Sequence, residues 1–432
     1  KKVARYQQYF TVKALIDRVK ERGRDGRRTG GVIWHTQGSG KSLTMVMLAN
    51  CLAQDPEIKN PRIVLVTDRV DLDDQLCNTF RHCDKNPVQA KTGEHLLQLV
   101  KDGEEVITTV IDKFEAAMKK RDASDDSEDI FILVDEGHRS QYGLKNTRMQ
   151  KVFPRACFIG FTGTPIMSGD KDTAMKFGGI VRPAYTMREA VMDGAVVPLL
   201  YEGRDVSKTV QEEPLDEGFG RVSEELSEYQ KGQLKNQASR KEFLSANKQD
   251  VHLVAQDITD HFVEFWKDTG FKGQIVAFSK VVALELKASL DEIGKVTSEV
   301  VISPPDDREG HKDHFSGPTD EVQKFWASMM SRFGNEKSYN ESVINAFKSS
   351  EDPELIIVVD KLLTGFDAPR NTVLYLYRSL KEHSLLQAIA RVNRLHPGKD
   401  YGYVIDYWGV LGNLDKAMSE YRIKEQLDKL KA

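Results

Sequence analysis

The sequence predicts an α/β protein made of two units, each a mostly parallel sheet flanked by helices. Three observations predict it. First, short runs of Val, Ile, Leu and Phe recur without polar alternation. The first half has "GGVIWH", "RIVLVTD", "EVITTV", "IFILVDE" and "CFIGFTGT"; the second has "GQIVAFSK", "EVVIS", "ELIIVVD", "NTVLYLY" and "YGYVIDY". Strands apolar on both faces belong to a sheet covered on both sides, and such sheets are parallel with helical crossovers. Second, stretches with helical spacing, such as "KSLTMVMLANCLA" and "VDLDDQLCNTF", fall between the runs, which is the order of doubly wound folds. Third, the two series are separated by "EGRDVSKTVQEEPLDEGFGRVSEELSEYQKGQLKNQASRKEF", too polar for a sheet and suited to a linker or helical insertion. The divisions expected are a first lobe over 1–202, a polar linker over 203–260, a second lobe over 261–410 and the start of a helical region over 411–432.

Composition narrows the class. The chain has 432 residues, 40% hydrophobic and 30% charged, with a net charge of -4. No global basic field marks a nucleic-acid binder, so a polyanion would need a local basic groove. Cys51, Cys77, Cys83 and Cys157 include no C-x-x-C pair. His82 beside Cys83 lacks the fourth ligand of a zinc site. Reduced cysteines of a cytoplasmic protein are the better reading. No apolar run approaches the ~20 residues of a membrane span, and no signal peptide opens the chain. The first residue is Lys1 rather than Met, which reads as a piece of a longer protein.

The chemistry begins at "GVIWHTQGSGKS", after the first strand-like run and before a helical one. Closely spaced glycines let backbone N–H groups converge on phosphate oxygens at a helix N-terminus. Gly38, Ser39, Gly40, Lys41 and Ser42 supply the turn, the cation for the β/γ-phosphates and a hydroxyl for Mg²⁺. The pattern G-x-x-x-x-G-K-[ST] would place its first glycine at position 35, where His35 stands. A plain strand-to-helix turn is the competing reading.

"FILVDEGHRS" ends a buried strand in two acids. Asp135 can hold Mg²⁺ and Glu136 can activate water as a general base. In isolation two acids at a strand end are ordinary; after a phosphate loop they become a site. "FIGFTGTPI" adds a hydroxyl-bearing turn with Thr164, expected to bond the acidic box. In the second half, "VVDKLLTGFDAP" places Thr364, Gly365 and Asp367 past a strand, and "SLLQAIARVNRLHPG" carries Gln387, Arg391 and Arg394. At i, i+4 and i+7 these three are expected on one helix face, with an arginine serving the γ-phosphate.

Taken together, "WHTQGSGKSLTM", "VTDRVDLDDQ", "DEGHRSQYG", "TGTPI", "DKLLTGFDAP" and "QAIARVNR" resemble a superfamily 2 nucleic-acid-dependent ATPase. In detail they resemble the motor region of the restriction (R) subunit of type I restriction–modification enzymes, in which a histidine at position 35 is usual. The resemblance covers about positions 5 to 407. It implies two RecA-like lobes with ATP and Mg²⁺ in the cleft between them, and a motor moving on double-stranded DNA. It also implies a complex with modification and specificity subunits in a bacterial or archaeal cytoplasm. By the same resemblance Gln8 in "RYQQYFTVKAL" is the adenine contact, and Thr67, Arg69, Thr109, Ser279 and Thr364 fall in DNA-backbone segments. Hydroxyls at strand ends are also common helix caps.

The family's nuclease site is not expected in this chain. Its only lookalike, "PPDDREGHK", has two residues between Glu309 and Lys312 rather than one and lies in a polar loop. A strand-separating helicase of the same superfamily, or a non-catalytic ATP-dependent clamp, would share most of these motifs.

Overall fold

The structure is a computed structural model and describes residues 2–23, 26–119, 124–135, 142–163, 177–204, 248–305, 320–363, 365–380 and 382–410. The chain forms two compact units, Lys1–Val196 and Val197–Ala432.

In the first unit the elements run α1 (Tyr6–Lys20), β1 (Gly31–His35), α2 (Lys41–Gln54), β2 (Arg62–Thr67), α3 (Val70–Arg81) and β3 (Val88–Gln89). They continue with α4 (Gly93–Lys101), β4 (Val106–Val110), α5 (Lys113–Met118), β5 (Ile130–Asp135), α6 (Tyr142–Val152), β6 (Cys157–Thr162), β7 (Ile180–Tyr185) and α7 (Met187–Met192). The seven strands lie in the order β3-β4-β2-β5-β6-β1-β7, and every pairing is parallel.

The strands lack polar alternation because both faces are covered. One face carries Val32, Val64, Val66, Ile107, Ile132 and Val134 against α4, α5 and α6 residues such as Leu96, Phe114 and Met149. The other carries Ile33, Ile63, Leu65, Phe131, Leu133 and Ile159 against Leu15, Met45, Leu48 and Leu52 of α1 and α2. Side chains one residue apart point to opposite faces, so each run feeds two cores.

The second unit runs β8 (Leu199–Gly203), α8 (Lys248–Phe265), β9 (Lys272–Ala277), α9 (Lys280–Ile293), β10 (Ser298–Val301), α10 (Asp320–Phe333) and α11 (Glu336–Ser349). Then follow β11 (Leu355–Val358), β12 (Asn371–Tyr377), α12 (Glu382–Ile389) and β13 (Gly402–Asp406). Its six strands lie in the order β10-β11-β9-β12-β13-β8, again all parallel.

Two expected boundaries move. β8 falls inside the span assigned to the first lobe, 1–202, yet pairs with β13 from Leu199↔Gly402 to Gly203↔Asp406, so the first unit ends at Val196. The span expected as linker, 203–260, contains most of α8. That helix buries Val251, Val254, Ala255, Ile258 and Phe262 in the second core, at the spacing of one helix face. Most of the linker, the lookalike around Glu309 and Lys312, and the span 411–432 lie outside the described residues.

Candidate functional site: a phosphate loop at the carboxyl edge of the first sheet

Parallel strands end at one edge of their sheet, and ligands of such folds gather outside the carboxyl ends. β1 ends at His35, β5 at Asp135 and β6 at Thr162, and β6 lies between the other two. The loop, Asp135 and the Thr162-Gly163 turn therefore share an edge.

The loop's shape follows from its glycines. Gly38 has φ 86° and Gly40 φ 92°, a left-handed backbone that Cβ-bearing residues avoid. Ser39 closes the turn: its N–H and its hydroxyl both donate to the Thr36 carbonyl, at 3.3 and 2.6 Å. α2 starts at Lys41, with Ser42 in its first turn. Consecutive N–H groups in such a turn, opening onto a helix N-terminus, make a concavity for anions. Lys41 Nζ donates to the His35 carbonyl at 3.4 Å, which folds the cation back over the loop. Gly163 comes close on the other side: a Cβ there would meet Gln37 Cγ at 2.8 Å and Lys41 Nζ at 3.3 Å. Gly163 lies in the "TGTP" turn that the sequence marks at this strand end.

His35 is fully buried, and its Nε2 lies 2.9 Å from Thr11 Oγ1. Burial, reinforced by the nearby Lys41 charge, pushes its pKa down to about 4, so the imidazole is neutral. Gln8, also buried, accepts from the Arg5 N–H at 3.0 Å and donates Nε2 to the Gly40 carbonyl at 3.1 Å. The structure thus brings Gln8 together with Gly38, Ser39, Gly40 and Lys41. Glu136 and Thr164 lie outside the described residues.

In the second unit the predicted residues also gather, but not on one helix. α12 ends at Ile389, so only Gln387 is helical, and Arg391 and Arg394 lie beyond it. This corrects the single-face expectation. The chain leaves the helix through tighter bonds, Arg391 N–H to Ala388 O at 3.0 Å and Val392 N–H to Ile389 O at 3.2 Å, a usual helix ending. Arg391 is buried, donating Nε to the Gln387 carbonyl at 3.1 Å and Nη1 to the Phe366 carbonyl at 2.5 Å. Arg394 faces Asp367 at 3.6 Å. These contacts bind Phe366 and Asp367 to the "RVNR" segment. Leu362 and Gly365 both have left-handed backbones, φ 63° and 73°, on either side of Thr364, which lies outside the described residues.

Thr67 and Thr109 are fully buried, and their hydroxyls donate to the carbonyls of Arg69 at 3.1 Å and Val110 at 3.4 Å. Neither offers a surface to a phosphate backbone. Ser279 is buried and accepts from the Val282 N–H at 3.2 Å as the N-cap of α9. Arg69, with a side chain 36% exposed beside Asp68, alone keeps an accessible charge.

The SWI2/SNF2 ATPase family model matches residues 7–232, more than half of the chain. The chain belongs to the SWI2/SNF2 ATPase family. A second model, type I restriction enzyme subunit R domain 3, matches residues 271–409. Among curated relatives, the type I restriction enzyme HindI endonuclease subunit of Haemophilus influenzae is 34% identical over 98% of this chain and 41% of its own length. The chain therefore spans about two fifths of that relative's length. Two solved structures share the fold. A fragment of an HsdR-type subunit of a type I restriction enzyme from Vibrio vulnificus YJ016 has a TM-score of 0.59 at 16% identity, covering 94% of this chain and 64% of that one. The type ISP restriction–modification enzyme LlaBIII bound to DNA has a TM-score of 0.57 at 14% identity, covering 94% and 28%. Among the described residues no helix is long and apolar enough to cross a membrane.

Proposed function

We propose that this SWI2/SNF2 family chain hydrolyses ATP and uses the reaction to move along double-stranded DNA, as the motor of a type I restriction enzyme. The observation that carries the reading is the loop between β1 and α2. Its two left-handed glycines, the folded-back Lys41 and the close approach of Gly163 make a glycine turn with a cation held over it at a helix N-terminus, the form that receives phosphate. The donor set fits Mg²⁺·ATP: loop N–H groups and Lys41 for the phosphates, Ser42 and Asp135 for the metal. When bound, the ion neutralises charge on the phosphates and orients them.

Each residue then has a task. Lys41 offsets negative charge as it builds on the β/γ oxygens. Glu136 takes the proton from the attacking water. Gln8 reads the base, and Gly365, Asp367, Gln387 and Thr164 complete the proposed nucleotide-binding set. Arg391 and Arg394 are the candidates for stabilising transition-state charge. Arg69 is the best placed of the proposed DNA contacts, and modification and specificity subunits are the proposed partners.

The test is displacement of a third strand from a duplex by the full-length subunit assembled with its complex. A translocase removes the triplex strand with ATP and leaves the duplex paired. Duplex separation instead would make the chain a strand-separating helicase. ATP binding without turnover would make it a clamp.

A further inference from the structure

Helix α1 holds both ends of the phosphate loop. Gln8 donates to the carbonyl of Gly40, the loop's last residue, at 3.1 Å. One turn further along the same face, Thr11 Oγ1 meets His35 Nε2, where the loop begins, at 2.9 Å. We propose that His35 is a positioning residue: with Thr11 it fixes the start of the loop to the helix that carries Gln8, so that base reading on α1 and phosphate grip by the loop respond as one body. The proposal rests on the ATP reading above.

Four observations support it. The backbone at His35 belongs to a strand and is not left-handed, so nothing in the turn demands the glycine of the usual pattern. The position is free to carry a side chain. Second, this side chain is kept despite a cost. The ring is fully buried and its Nδ1 has no hydrogen-bond partner among the described residues, an arrangement that glycine would avoid. Third, the ring is wedged from a second direction by Tyr185, edge-on at 5.8 Å, at the end of β7. The Tyr185 carbonyl in turn accepts the N–H of Thr36, the next loop residue, at 2.8 Å. His35 is thus where α1, β7 and the loop meet. Fourth, Thr11 is itself fully buried, so removing the imidazole takes a hydrogen-bond partner from a hydroxyl that water does not reach. The first turns of α1 bury the polar Gln7, Gln8 and Thr11, while later turns bury Val12, Leu15 and Val19. Its polar end therefore serves the loop and its apolar end the core.

The experiment compares kcat and KM for ATP and for GTP in the full-length subunit, for wild type, His35→Gly, Thr11→Val, the double variant and Thr11→Ser. His35→Gly restores the glycine of the general pattern; Thr11→Val is close in shape, loses only the hydroxyl, and keeps the test alive should the glycine variant fold poorly. We expect each to raise KM for ATP ~10-fold, the scale of one buried hydrogen bond, and to narrow the preference for ATP over GTP. The double variant should be no worse than His35→Gly, because both changes break one bond. Thr11→Ser should retain the wild-type preference. Multiplying effects in the double variant, an unchanged ATP-to-GTP ratio in both single variants, or a wild type without base preference would overturn the inference. A wild type that hydrolyses no nucleotide would overturn the ATP reading instead.

Discussion

Gly40→Ala tests the loop most sharply, because two separate penalties can be read from its geometry. The residue sits at φ 92°, ψ 34°, where a Cβ costs about 1–2 kcal/mol. That Cβ would also stand 2.7 Å from Gln8 Nε2, so Gln8 must swing away and lose its bond to the Gly40 carbonyl, a further ~1 kcal/mol. The sum is about 2–3 kcal/mol, concentrated at the loop. Gly103→Ala is the control: φ is 79° and nothing lies within 4 Å of its Cβ, so only the backbone penalty applies. Urea unfolding of both variants should rank Gly40→Ala as the more destabilised by about 1 kcal/mol, one lost hydrogen bond. Steady-state hydrolysis should lose at least ~30-fold in kcat/KM for Gly40→Ala, the rate equivalent of about 2 kcal/mol, and little for Gly103→Ala. Equal stability losses, or near-normal turnover in Gly40→Ala, would refute the reading of this turn as a phosphate cradle.

Other consequences are as direct. Lys41→Ala should keep less than about a tenth of wild-type kcat, a loss above ~1.4 kcal/mol, and Glu136→Gln should bind ATP while hydrolysing at least ~10²-fold more slowly; nucleotide binding and turnover measured together check both. Arg394→Ala should lower turnover through lost charge stabilisation; normal kcat would remove Arg394 from the hydrolytic set. The buried rings of His35 and His261 have pKa values pushed down to about 4, chiefly by burial. The unfolded chain takes up these protons below about 6.5 and the folded one does not. Stability should thus be intact above pH 6.5 and decline toward pH 4, by on the order of 1 kcal/mol per pH unit for each ring. Urea midpoints for wild type and His261→Gln should show a shallower decline in the variant; parallel slopes would contradict this.

Much of this was legible in the sequence because buried parallel strands advertise themselves. Runs such as "RIVLVT" and "IFILVD" have to be apolar on both faces, and the ten such runs are ten of the thirteen strands of the two sheets; β3, β7 and β8 carry no such run. The phosphate loop was legible because glycine spacing is a backbone requirement. The lobe boundary was not: Leu199–Gly203 carries no local mark of which sheet it joins, and the pairing with Gly402–Asp406 is set by contacts some 200 residues away. The helix expected through Arg391 and Arg394 failed for a related reason. Its spacing is helical, but Arg391 is drawn to the Phe366 carbonyl, a tertiary bond that periodicity cannot show. Thr67, Thr109 and Ser279 sit at strand ends where hydroxyls serve ligands and backbone alike, and here the backbone has them. Thr11 was missed because a lone threonine on a helix carries no pattern; only its distance from His35 gives it a role.

The central claim is that this loop drives a motor on duplex DNA. Its most direct test is steady-state ATP hydrolysis by the full-length subunit in its complex, measured in parallel with long duplex DNA, single-stranded DNA, RNA and no nucleic acid. We expect hydrolysis that depends on duplex DNA and disappears in Lys41→Ala. Turnover that ignores the duplex, prefers RNA or single strands, or survives the loss of Lys41 would contradict the account.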